Sequence, residues 1–311
     1  MIASQLDSRF NALLRDHLPG AEVLPLARGV PLDLPQEASV LLAAPHAGLR
    51  DASRPPPGWP FGLGFVQLVS SGVDAFPRWL LDSLPVASAR GVTADSLAEF
   101  ALAAMFAAAK QLPSVWIDTP SQWQPRPLAS LAGSTLGLYG FGSIGQALAR
   151  KALALDIEVV ALRRSAQPFE VPGVQRATDV QALLACADHL VLAAPASKAT
   201  HHVINTRTLA HAKPGLHLIN LARGSLIDQQ ALLQALDNGQ LALASLDVTD
   251  PEPLPAGHPF YSHPKIRLSP HTSANTSRVY HNLAALLARN VEHFQHGRRL
   301  ENQLPTQGET P

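Results

Sequence analysis

The middle of the chain alternates short apolar runs with segments of helical period. Apolar runs at 135–140, 157–162, 189–194, 216–221, 243–248 and 266–269 predict strands. Between them, 143–155, 180–187, 207–212 and 228–238 read as helices, the last closed by Gly239, a residue that suits a helix C-terminus. Strands and helices in alternation imply βαβ units, hence a parallel sheet with helices on both faces. Right-handed crossovers then place the ligand-binding loops along one edge, at the C-terminal ends of the strands.

The first ninety or so residues differ. They are proline-rich, and the run Arg54-Pro55-Pro56-Pro57-Gly58-Trp59-Pro60 must be a loop. Strand candidates at 21–26, 39–43 and 65–69 suggest a smaller α/β unit. Residues 6–18 already read as helix, so no strand is expected ahead of them. A long helix over 95–111 opens the larger unit, and the helical segment 276–296 returns to pack on the first. The expected division is 1–93 with 275–311, and 94–274.

Composition narrows the partners. Lys plus Arg and Asp plus Glu both total 24, a net charge of zero, which gives no electrostatic case for nucleic acid or an anionic membrane. A single cysteine, Cys186, permits no intrachain disulfide and fits a reducing cytoplasm. Asp7, Arg9 and Arg15 interrupt the apolar residues of the N-terminus, so a signal peptide is not expected. No apolar run approaches the roughly 18 residues that span a bilayer. A cytoplasmic protein acting on a small molecule is the expectation. No cluster of His, Cys, Asp and Glu has metal-ligand spacing, so none is assigned to a metal.

Between the first predicted strand of the larger unit and its helix lies Gly140-Phe141-Gly142-Ser143-Ile144-Gly145, a G-x-G-x-x-G pattern. Gly140 permits a tight turn, Gly142 lets a pyrophosphate approach the backbone, and Gly145 allows close helix–strand packing. The N–H groups of Ser143 and Ile144 then face phosphate at the positive end of the helix. The pattern points to a dinucleotide. An NAD-preferring unit usually carries Asp or Glu at the end of the next strand; here that strand runs into Arg163-Arg164-Ser165. Two guanidiniums and a hydroxyl suit a 2′-phosphate, so NADP(H) is the expected preference, with NAD(H) a possible second cofactor.

Three further segments place charge just past strand ends. Arg223 follows one strand in Asn220-Leu221-Ala222-Arg223-Gly224. Glu252 sits between prolines in Asp250-Pro251-Glu252-Pro253, and His271 follows Ser269-Pro270. Together with the glycine loop, with Val191-Leu192-Ala193-Ala194-Pro195, with Lys213-Pro214-Gly215 and with Asp247, these motifs cover about residues 92–275 in order and spacing. On them the chain resembles the D-isomer-specific 2-hydroxyacid dehydrogenase family, and within it the glyoxylate/hydroxypyruvate reductases.

The resemblance implies an α/β architecture: a Rossmann-type, doubly wound parallel sheet for the coenzyme and a smaller flavodoxin-like α/β domain for the substrate. It implies reduction of a 2-keto acid to a D-2-hydroxy acid, or the reverse, with Arg223, Glu252 and His271 as the catalytic set. Arg223 would bind the substrate carboxylate and polarise the carbonyl; protonated His271 would donate to the carbonyl oxygen, with Glu252 orienting the ring. Asp247 would contact the nicotinamide amide, Pro195, Leu221 and Ala222 would line the cofactor groove, and backbone groups of Ser71 and Gly72 would bind the substrate carboxylate. A homodimer is implied, formed through helix 95–111, whose face Ala98, Ala101, Ala104, Ala108 would admit a partner helix. The family's usual opening strand is expected to be missing or contributed differently, because 6–18 reads as helix. A competing reading, resembling the C-terminal-binding co-repressors, is a dinucleotide sensor without enzymatic activity; the presence of all three catalytic residues favours the enzyme.

Overall fold

The computed structural model describes residues 1–31 and 34–305. The chain forms two compact units, Met1–Thr93 with Thr276–Pro311, and Ala94–Asn275.

The smaller unit holds strands β1 (Ile2–Ser4), β2 (Val23–Pro25), β3 (Val40–Ala43), β4 (Phe65–Leu68) and β5 (Val86–Ala87). All pairings are parallel, in the order β2-β1-β3-β4-β5, the flavodoxin-like arrangement. Helices α1 (Ser8–His17), α2 (Ala47–Arg50) and α3 (Arg78–Ser83) pack on it. One face buries Phe10, Leu14, Leu283 and Leu287; the other buries Leu49, Val66 and Leu80.

The opening strand therefore exists, contrary to the sequence expectation. Ile2, Ala3 and Ser4 are buried between β2 and β3. Three residues suffice because parallel neighbours on both sides satisfy the backbone. The helix starts later than the apolar pattern suggests, because the Asp7 carboxylate caps it, accepting from the Phe10 N–H at 2.9 Å.

The larger unit opens with α4 (Ala94–Ala109). It continues through β6 (Thr135–Tyr139), α5 (Ser143–Leu153), β7 (Glu158–Leu162), β8 (Gln175–Arg176), α6 (Val180–Cys186), β9 (His189–Leu192) and α7 (Thr206–Leu209). Then come β10 (Leu216–Asn220), α8 (Gln229–Asp237), β11 (Leu241–Leu246) and β12 (Ile266–Leu268); α9 (Ser277–Gln295) belongs to the smaller unit, where it packs on α1. The sheet is parallel throughout, in the order β12-β11-β10-β9-β6-β7-β8. Strands such as β9 and β10 are buried along their whole length, as a sheet covered on both faces requires. Leu183, Leu209 and Leu232 cover one face; Ala98, Ala101, Met105 and Leu148 cover the other. Chain order reverses at β6, which has β7 on one side and β9 on the other. In doubly wound sheets that switch point is where a ligand binds.

Ala98 and Ala101 are thus spent inside their own unit, in the core shared by α4 and α5. The rest of the expected alanine face, Ala104 and Ala108, lines a groove of about 750 Å3 with Phe100, Ala103 and Ala107. Among the described residues no helix is long and apolar enough to cross a membrane, and no group of three His, Cys, Asp or Glu side chains could hold a metal ion.

Candidate active site

The glycine loop joins β6 to α5. Gly140 has φ +104°, and a Cβ there would lie 2.7 Å from the Ala194 nitrogen, so only glycine fits beside β9's exit. At Gly145 a Cβ would meet the Gly140 carbonyl oxygen at 2.7 Å. At Gly142, the helix N-cap, a Cβ would meet nothing within 4 Å. That open ground lies beside the Ser143 and Ile144 N–H groups, which have no carbonyl four residues back to accept them. The loop therefore fits a dinucleotide pyrophosphate.

Past β7 the two arginines part company. The expectation gave both guanidiniums to a phosphate; the structure turns Arg163 inward. Its Nη1 donates to both oxygens of Glu170 at 2.9 and 3.0 Å, and its Nη2 to the carbonyls of Gln167 and Pro168 at 2.9 and 2.7 Å. The Glu170 carboxyl is held below its ordinary range by the hydrogen bond from Arg163. Arg164 and Ser165 are exposed.

Pro195 lies exposed past β9, where its carbonyl accepts from the Thr200 hydroxyl at 2.8 Å. Leu221 and Ala222 were expected to line the cofactor groove, but their side chains are buried in opposite cores.

Arg223, Glu252 and His271 follow β10, β11 and β12, three adjacent parallel strands, and so share one sheet edge. Buried Asn220 clamps the Arg223 turn: its amide donates to the Arg223 carbonyl at 2.8 Å, and its oxygen accepts from the Ala222 N–H at 3.0 Å. The Arg223 Nη1 donates to the Ala222 carbonyl at 2.8 Å. A Cβ on Gly224 would lie 2.0 Å from the Thr249 carbonyl carbon, so this turn sits directly on the loop that carries Glu252.

That loop aims its carboxylate. The Thr249 N–H donates to Glu252 Oε1 at 2.9 Å, leaving Oε2 to accept from His271 Nδ1 at 2.9 Å. Nε2 of His271 then has no partner among the described residues, and the side chain is about half exposed. His271 has φ +49°, a left-handed conformation uncommon outside glycine. Its N–H donates to the Asp247 carbonyl at 2.9 Å. The Asp247 carboxylate is buried and accepts from the Ser269 hydroxyl at 2.6 Å, the Thr272 and Ser273 N–H groups at 2.9 and 3.1 Å, and the Ser273 hydroxyl. Asp247 was expected at the nicotinamide amide; in the structure both its oxygens hold the loop that presents His271.

Ser71 and Gly72, in the smaller unit, follow β4. The Ser71 hydroxyl donates to the Ala89 carbonyl at 3.1 Å, and the Gly72 carbonyl accepts from Ser70 at 2.7 Å. Sequence reasoning missed Asn220 and Thr249. An Asn at a strand end two residues before a small residue is a turn signal that would have found the first; nothing local marks the second.

The family model for the D-isomer specific 2-hydroxyacid dehydrogenase, NAD binding domain, matches residues 102–273. A glyoxylate/hydroxypyruvate reductase A from Serratia proteamaculans is 31% identical over 268 residues, covering 85% of this chain and 84% of its own. A D-isomer specific 2-hydroxyacid dehydrogenase family protein from Aeromonas salmonicida superposes with a TM-score of 0.79 at 29% identity, over 98% of this chain and 97% of its own. Another from Xanthobacter autotrophicus, solved with NADPH, has a TM-score of 0.80 over 98% and 97% of the two chains. At 24% identity it shows the shared fold.

Proposed function

The chain belongs to the D-isomer-specific 2-hydroxyacid dehydrogenase family, NAD(P)-dependent oxidoreductases, and from that premise we propose that it reduces a small 2-keto acid, glyoxylate or hydroxypyruvate, to the D-2-hydroxy acid with NADPH preferred. The His271–Glu252 contact carries this reading. With Nδ1–H held by the carboxylate, Nε2 is the ring nitrogen left to carry a proton to the substrate. In reduction that proton goes to the carbonyl oxygen. Arg223, past β10 and two strands from His271, binds the substrate carboxylate and polarises the carbonyl by charge-assisted hydrogen bonds. Glu252 and Asp247 are positioning residues: one sets the ring, the other the loop beneath it. Ser71 and Gly72 are the smaller unit's candidates for the substrate carboxylate, through their backbone N–H groups. When bound, the dinucleotide supplies the hydride.

The NADPH preference rests on the loop after β7. Its one carboxylate in 163–176, Glu170, is paired with Arg163, and exposed Arg164 and Ser165 remain for a 2′-phosphate. Glyoxylate and hydroxypyruvate are favoured by the name of the Serratia relative. Replacing His271→Gln is expected to lower kcat by about 10²- to 10⁴-fold, with the Kd for NADPH within about threefold of wild type. Stopped-flow turnover and fluorescence titration check this, and near-normal turnover removes His271 from the chemistry.

A further inference from the structure

One ring ties the loop past β7 to the glycine loop, and nothing in the mechanism above uses it. Phe169 packs against Phe141, the second residue of the glycine pattern, with centroids 4.5 Å apart and planes at 54°. The Phe141 side chain is itself buried in the core under α4 and α5. Two guanidiniums lie against Phe169, Arg176 at 4.4 Å from its centroid and Arg163 at 5.2 Å. Each guanidinium also collects loop carbonyls. Arg176 donates to the Ser165 carbonyl at 3.0 Å and to that of Gln167; Arg163 takes Gln167, Pro168 and the Glu170 carboxylate. Residues 163–170 are thereby folded back over the ring.

We propose that Phe169 is a specificity-determining positioning residue, holding the 163–170 loop so that Arg164 and Ser165 face the 2′-phosphate of NADP(H). This deepens the NADP(H) reading above and rests on it. The division of labour follows from the contacts. Arg163 and Arg176 are consumed by the ring and the loop carbonyls. Arg164 is exposed and makes no hydrogen bond or ion pair with any described residue. The Ser165 oxygen accepts from the Gln167 N–H at 3.2 Å, which leaves its hydrogen to donate to a phosphate oxygen. Three arginines against Glu170 leave the loop two positive charges in excess, matching a phosphate monoester of about −1.5 to −2. An aromatic ring suits the position because it attracts both cations while packing, tilted, against Phe141. An aliphatic side chain could fill the space but would not hold the guanidiniums.

Calorimetric titration with adenosine 2′,5′-bisphosphate and with AMP tests this without turnover. The two ligands share the adenosine site and differ in the 2′-phosphate. Wild type is expected to favour the bisphosphate by about tenfold or more. Phe169→Leu should cut that ratio by about fivefold, with AMP affinity within about twofold of wild type, and Phe169→Tyr should restore it. If Phe169→Leu keeps the wild-type ratio, or weakens both ligands equally, the ring only packs and the inference is overturned. A wild type with no preference for the bisphosphate overturns the NADP(H) reading first, and the inference with it.

Discussion

At the scale of single residues, the site is built by fixing side chains from behind. His271 is held in a left-handed backbone conformation by its own N–H bond to the Asp247 carbonyl, and its ring is held by Glu252. Glu252 is in turn held by the Thr249 N–H. Such chains keep the imidazole in one orientation, as the proposed general acid requires. The sequence shows the outer ends of these chains, because Arg223, Glu252 and His271 stand in motifs just past strand ends. It does not show their anchors. Arg163 and Arg164 are adjacent and chemically identical, yet one is tied to Glu170 and the other exposed. That difference arises from the path of the loop back to Phe169, which no spacing rule describes.

At the scale of elements, three neighbouring strands carry a polar row through the core. His189 on β9 and His217 on β10 meet Nδ1 to Nδ1 at 3.1 Å, and His217 Nε2 meets the Ser245 hydroxyl on β11 at 2.9 Å. Burial pushes both rings down from their ordinary value of 6.5, His217 to about 3, its neighbour His189 adding to the effect. For His189 the charge of Asp188 opposes burial; that carboxylate is itself paired with Lys213 at 2.6 Å. A depressed folded-state value means the unfolded chain binds more protons below about 6.5. The stability this row confers is therefore complete above that value and lost as pH falls toward 3. The melting temperature is expected to drop between about pH 7 and about pH 5, His217 alone contributing up to roughly 1.4 kcal/mol per pH unit. His217→Gln should be less stable near neutrality but fall less steeply; parallel curves for the two proteins would place the acid sensitivity elsewhere. Strands such as β9 and β10 were readable as apolar runs. The edge strand β8 was not, because Gln175 and Arg176 are exposed and carry no apolar signal.

At the scale of the whole molecule, the two α/β units were legible because alternating periodicity fixes the topology of a parallel sheet with few options. The opening strand was not, because three residues ahead of a helix cap are too short to show a period. The larger unit also leaves apolar surface open. A groove is lined by Ala103, Ala104 and Ala107, and the segment after α4 exposes Trp116 at 69% and Trp123 at 79%. An open apolar groove and exposed indoles are what a two-fold interface between copies of one chain uses. We propose a homodimer on this face. Sedimentation velocity should find wild type dimeric and the double variant Trp116→Ser with Trp123→Ser monomeric. A monomeric wild type at micromolar concentration would remove the proposal.

The most direct test of the central claim is kcat/KM for purified wild type with glyoxylate and hydroxypyruvate, each measured with NADPH and with NADH. The account predicts turnover of at least one keto acid, with NADPH favoured by about tenfold or more. Turnover with neither substrate, or a clear preference for NADH, would contradict it.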